Sequence, residues 1–160
     1  MTVNAEGTGL LMSHCRRARA FFSMSSCSIY APAPDPRQPV KESDPLSGEA
    51  LPYSPTYIVS KTAQEAVARL CARLFDLPTT IARMNVSYGP NGGLPAYQFD
   101  AMLAGQPVQV TAGRPSLCSP IYQDDIISQV SALLAAAAVP ATVVNWGGDD
   151  AVDVETYCTH

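Results

Sequence analysis

The chain has 160 residues, 47% hydrophobic and 15% charged, enough to bury one real core and unlike a disordered or fibrous composition. A net charge of -4 and a pI near 5.0 argue against a nucleic-acid partner, because a phosphate-binding face needs clustered Lys and Arg. Two histidines, His14 and His160, cannot assemble a zinc site by spacing, and the longest apolar run, Val130 to Val139, falls well short of the roughly 20 residues of a membrane span.

Met1 to Ala20 reads as a helix, with Val3, Leu10, Leu11 and Met12 among small residues and with Arg16, Arg17 and Arg19 forming a solvated last turn. Glu6 ahead of the apolar residues and arginines behind them reverse the order of a secretory signal. Ala20 to Ser25 is short and aromatic, as a buried parallel strand should be, and it leads into Ser26. A hydroxyl at a strand's carboxyl end lies where open α/β sheets bind ligands, although clustered serines also suit a plain turn.

From Ala31 to Ser54 the chain is rich in proline and reads as an irregular surface loop whose charges, Asp35, Glu42, Asp44 and Glu49, are solvated. Tyr57 to Phe75 follows with a 3.6-residue period: Ile58, Val59, Val67, Leu70, Cys71 and Leu74 are apolar, and Lys61, Glu65, Arg69 and Arg73 lie among them. Leu77-Pro78 ends that helix, and β-branched Thr79 to Met84 forms the next strand. Further on come a helix from about Ala96 to Leu103, a strand Val108 to Val110, and an apolar strand before Asp125, which caps a helix running to Ala138. Thr142 to Trp146 is a last strand. Asp149, Asp150 and Asp153 lack the alternating ligands and glycine of a calcium loop, so they read as a turn and a helix cap.

Tyr57 and Lys61 are four apart, so they share one face of their helix. A fixed positive charge beside a phenol favours the phenolate form, which can trade a proton with a substrate hydroxyl. Tyr-x-x-x-Lys at a helix start, after a Ser at a strand end, resembles the catalytic core of the extended short-chain dehydrogenase/reductase superfamily, within it the NAD-dependent epimerase/dehydratase family. Three further stretches carry the likeness: Asn4 to Thr8, Ser26 followed by Tyr30, and Arg83 through Tyr88-Gly89-Pro90. Two departures stand out, Ala31 where Gly is usual and Val86 where the family has Asn, with Asn85 one residue early.

The resemblance implies an α/β fold, a partial Rossmann-like doubly wound parallel sheet in one incomplete domain, residues 1–160, with 91–123 forming its substrate side. It implies Ser26, Tyr57 and Lys61 as catalytic residues. Tyr57, Lys61, Met84, Asn85, Val86 and Tyr88 would face NAD or NADP, while Asn4, Ser26, Cys27 and Asn85 would face a small-molecule, sugar-like substrate. Asn4 is equally readable as a cap near a frayed terminus. Cys27 and Ser28 stand where dehydratases of the family carry an Asp-Glu pair, which favours epimerisation or carbonyl reduction. Cys118 stands where enzymes acting on sugar nucleotides have an Arg.

The superfamily's Gly-rich pyrophosphate turn is missing from the sequence, so the chain is expected to be either a fragment without the N-terminal Gly-rich half and the C-terminal end or a short protein that has lost its cofactor grip. Its unpaired sheet edge would expose apolar surface and favour a homodimer, and turnover of the isolated chain should be impaired. The alternative is a non-catalytic binding or regulatory protein on a truncated fold. Five cysteines, odd in number and with no Cys-x-x-Cys pair, read as the reduced thiols of a cytoplasmic protein.

Overall fold

A computed structural model of the chain describes residues 1–47, 55–110, 112–113 and 115–159. Thr2–Glu6 winds with π-helical spacing into helix α1 (Gly7–His14), followed by strand β1 (Phe21–Ser26) and a 3₁₀ turn at Cys27–Ile29. Helix α2 (Tyr57–Phe75) leads to strands β2 (Thr79–Met84), β3 (Ser87–Gly89) and β4 (Gly92–Gly93), then to helix α3 (Leu94–Leu103). Strands β5 (Leu117–Cys118) and β6 (Ile121–Tyr122), helix α4 (Gln123–Ala135), strands β7 (Thr142–Trp146) and β8 (Val152–Asp153), and helix α5 (Val154–Cys158) complete it. No helix among the described residues is long and apolar enough to cross a membrane.

These elements form two compact units, the first comprising Met1–Pro32, Lys41–Met84 and Gln129–Trp146 and the second Ala33–Val40, Asn85–Ser128 and Gly147–His160. The first unit is built on a parallel sheet in the order β1-β2-β7. Its register places Ser26 beside Met84 and Met84 beside Trp146, so three strands end level. Central β2 is buried from Thr79 to Arg83, as a strand covered on both faces must be. Its threonine hydroxyls find backbone acceptors at Leu77 and Leu133, which makes their burial tolerable.

The core joins Met12 of α1, Ala68, Cys71 and Ala72 of α2, Leu77, Ile81 and Ala141. Gly9 lets α1 lie close on α2, since a Cβ there would stand 3.0 Å from the Val67 side chain. The face that α2 turns inward is not the expected apolar stripe: Ser60, Gln64 and Glu65 are buried with Ile58, Ala68, Cys71 and Ala72, while Val59, Leu70 and Leu74 are exposed. Specific polar partners on the sheet outweigh the simple apolar period there.

In the second unit β3 pairs antiparallel with β4 and parallel with β6, and β5 pairs antiparallel with β8. Gly93, at φ +108°, ends β4 opposite Tyr88, where a Cβ would fall 2.1 Å from the Ser87 carbonyl oxygen. No strand forms at Val108–Val110, where local β-propensity finds no ladder partner and Val110 is left exposed.

Other boundaries also shift. α1 stops at His14, short of Ala20, because the arginines beyond it have nothing to bury. α4 starts at Gln123 and ends at Ala135, so Asp125 sits inside its first turn beside Asp124 and favours the helix dipole rather than capping it. Asp153 does cap α5, accepting the Glu155 N–H at 3.3 Å. The irregular proline-rich loop is seen from Ala31 to Ser47, and its part from 48 to 54 lies outside the described residues.

Ile81 is fully buried in the core, so Ile81→Ala should lower the unfolding free energy by about 2–5 kcal/mol, read from urea unfolding followed by circular dichroism.

Candidate active site

Tyr57 opens α2, and its carbonyl accepts the Ser60 hydroxyl at 2.8 Å. Ser60 in turn accepts a hydrogen bond of 2.9 Å from Asn4 Nδ2, so Asn4 is tied to the first turn of α2 across 56 residues of sequence. On the next position of the helix, the Lys61 ammonium donates to the Met24 carbonyl of β1 at 2.9 Å and to Gln64 Oε1 at 3.0 Å. Burial pulls the Lys61 pKa below that of an ordinary lysine. Ser26 closes β1 two residues beyond Met24, and its Oγ accepts the Ser28 N–H at 3.2 Å, capping the short turn that holds Cys27. The first unit thus gathers Asn4, Tyr57 and Lys61 on the start of α2 and hooks Lys61 to the strand that ends in Ser26.

Two residues that the motif reading passed over organise this region, Ser60 and Gln64. Gln64 Nε2 donates to Ser23 Oγ at 3.0 Å and to the Met24 carbonyl at 3.1 Å. Their signal was present as helical spacing, since Gln64 lies three residues after Lys61 and Ser60 three after Tyr57.

Arg83 of β2 anchors the same unit from beneath. Its guanidinium grips Glu65 of α2 in a two-pronged pair, with Nε to Oε1 at 2.9 Å and Nη2 to Oε2 at 2.8 Å. Nη1 donates to the Tyr30 hydroxyl at 2.8 Å and to the Glu42 carbonyl at 2.9 Å. Burial works against the charge on Arg83, but hydrogen bonds to Glu65 and Tyr30 more than offset it and hold the pKa above its ordinary value. The Tyr30 hydroxyl in turn donates to Asn145 Oδ1 at 2.6 Å, while burial raises its pKa despite the nearby cation. Glu42, read from sequence as merely solvated, accepts the Asn145 N–H at 2.8 Å. Loop charges are recruited because the ends of β2 and β7 present groups that need partners. Asp35 and Asp44 instead accept local backbone N–H groups of Arg37 and Lys41, and Glu49 lies outside the described residues.

Met84 closes β2 in the first unit, whereas Asn85, Val86 and Tyr88 belong to the second. Asn85 Oδ1 accepts the N–H groups of Val86 at 2.8 Å and Ser119 at 3.2 Å, which occupies the side chain in shaping its own loop. The Val86 carbonyl accepts the Ile121 N–H. Tyr88 is exposed and packs its ring on Tyr122 at 5.3 Å. A concavity of about 220 Å³ borders Tyr88, the β3–β4 glycines, Asn91 and Gln123. Among the described residues no group of three or more His, Cys, Asp or Glu could hold a metal ion.

The NAD-dependent epimerase/dehydratase family model matches residues 1–147. The chain belongs to that family. Its fold resembles UDP-glucuronic acid 4-epimerase from Bacillus cereus, solved with UDP-glucuronic acid and NAD, at 24% identity and a TM-score of 0.73 over 95% of this chain and 48% of that one. It also resembles a dTDP-glucose 4,6-dehydratase double mutant from Streptomyces venezuelae with NAD bound, at 23% identity and a TM-score of 0.76, over 97% of this chain and 47% of that chain. A third relative, MoeE5 in complex with UDP-glucose and NAD, is 27% identical with a TM-score of 0.73, over 96% of this chain and 51% of that chain. The chain therefore spans about half the length of these relatives. No curated protein matches the sequence.

Arg83 and Glu65 are 2% and 4% exposed at their side chains, so removing one partner strands a buried charge. Glu65→Leu should cost about 3–5 kcal/mol in urea unfolding, and the double variant Glu65→Leu/Arg83→Met should cost less than the two single changes added together.

Proposed function

We propose that this chain carries the catalytic half of an NAD(P)-dependent enzyme acting on a hydroxyl or carbonyl group of a sugar-like substrate. The observation that carries the reading is the half-buried Lys61 ammonium, drawn onto β1 one helical turn from Tyr57 and beside the strand that ends in Ser26. In this reading Tyr57 takes the proton from the substrate hydroxyl and returns it, and Lys61 holds the nicotinamide ribose through its ammonium. Ser26 hydrogen-bonds the reacting oxygen through its hydroxyl proton, which its contact with Ser28 leaves available because Ser26 accepts there. A nicotinamide, when bound, supplies the hydride acceptor.

The donor set suits one end of such a cofactor: an ammonium and a phenol on one helical face match ribose hydroxyls. Met84, Asn85, Val86 and Tyr88 are proposed to follow the cofactor, Val86 and Tyr88 through backbone or ring surface, since the Asn85 carbonyl oxygen is already engaged. Asn4 is proposed to act from its link to Ser60, and Cys27 from the turn after Ser26. Cys27 and Ser28, in place of an acidic pair, favour epimerisation or carbonyl reduction over dehydration. A cytoplasmic, homodimeric protein is part of the proposal.

The sequence holds no Gly-rich turn for a pyrophosphate, and this supports weak cofactor binding by the isolated chain. The same observation favours a second reading, a binding or regulatory protein that keeps the fold without turnover. Fluorescence titration of the 160-residue chain with NADH should show only weak binding, and tight binding would overturn the impaired-fragment reading. In a gene product that turns over, Tyr57→Phe should lower turnover by about 10²–10⁴-fold. Full activity in that variant would remove Tyr57 from the chemistry.

A further inference from the structure

We infer that Gln64 is a positioning residue that locks the Lys61 ammonium onto β1, an inference that rests on the proposed role of Lys61. The Met24 carbonyl receives two hydrogen bonds, from Lys61 Nζ at 2.9 Å and from Gln64 Nε2 at 3.1 Å, and Gln64 Oε1 closes the triangle on Lys61 at 3.0 Å. The Gln64 amide is 6% exposed and also donates to Ser23 Oγ at 3.0 Å.

Its orientation is fixed by chemistry. A carbonyl only accepts and an ammonium only donates, so a reversed amide would face oxygen with oxygen and nitrogen with nitrogen. Lysine ends a flexible four-carbon stem, and holding its head in one place costs rotamer freedom that a single surface contact would not offset. Two acceptors set at one spot define the position of the head and engage two of its three protons. The third is left for a ligand hydroxyl.

Among the described residues, no carboxylate forms an ion pair with Lys61. β1 (Phe21–Ser26) carries no charged side chain, and on α2 Glu65 is engaged by Arg83 at 2.8 Å and Arg69 at 3.9 Å. The acceptor beside Lys61 is therefore neutral, which leaves the ammonium half-buried with its charge only partly compensated, in keeping with its lowered pKa. A carboxylate at position 64 would neutralise it. A Leu would withdraw one acceptor.

The chain contains two lysines, Lys41 and Lys61, so ¹³Cε-lysine NMR gives two side-chain signals and reads Lys61 directly, without cofactor or substrate. In the unaltered chain the Lys61 signal should show restricted motion and titrate below an ordinary lysine. Gln64→Glu should move the Lys61 midpoint up and slow its acylation at fixed pH by about tenfold, because an opposite charge in contact favours the protonated form. Gln64→Leu should free the head and return its midpoint toward that of an ordinary lysine, because burial is what lowers it. The near-isosteric Glu variant carries the test if the Leu variant does not fold. Unchanged Lys61 titration and acylation in the folded variants, or a Lys61 head as mobile as that of Lys41 in the unaltered chain, would overturn the inference. If Lys61 responds while Tyr57→Phe leaves turnover intact, the clamp stands and the catalytic reading falls.

Discussion

Helix α2 is held to the parallel sheet by polar groups where a purely apolar stripe would be expected. Gln64 reaches β1, Glu65 reaches Arg83 on β2, and both side chains are buried. Such contacts are sensitive to register in a way that hydrophobic packing is not. A helix rotated by one residue would strand an amide and a carboxylate away from water, at a cost larger than the gain from any methyl it buried. The angular setting of α2 is thus fixed, and with it the direction of every other side chain on the helix, Tyr57 and Lys61 included.

That setting explains an otherwise odd distribution of apolar residues. Val59, Leu70 and Leu74 of α2 are exposed. The inward face of α2 is spent on Ser60, Gln64 and Glu65, with Ala68 and Ala72 allowing close approach to the sheet. Small residues at those positions let the helix come near enough for side chains of ordinary length to reach β1 and β2.

Arg83 serves the loop as well as the helix. One guanidinium satisfies Glu65, the Tyr30 hydroxyl and the Glu42 carbonyl, and Asn145 completes the circuit by accepting from Tyr30 and donating its N–H to Glu42. A proline-rich segment without regular structure is fastened in this way to the ends of two strands. The family likeness of the Arg83 to Pro90 stretch therefore has a physical content beyond its motif: the Arg is the point where helix, sheet and loop share charge and hydrogen bonds. Residues at the other end of the stretch are occupied differently, since Asn85 shapes its own loop through Val86 and Ser119.

Much of this was legible in the sequence. Tyr57–Phe75, Thr79–Met84 and Thr142–Trp146 were readable because the helical period and β-branched composition agree with what the fold asks of them, and the family followed from motifs spread along the whole chain. Sequence could not say which face of α2 turns inward, because periodicity counts apolar residues and the decisive partners, Ser23, Met24 and Arg83, lie on separate strands. For the same reason it misread Glu42 as solvated and Val108–Val110 as a strand: a charge or a β-former takes its role from a partner distant in the chain. Local pattern determined which segments are helix and strand and which family they serve; only tertiary structure decided that an amide and a carbonyl would share one lysine, since hydrogen bonds between remote residues leave no periodic trace in the sequence.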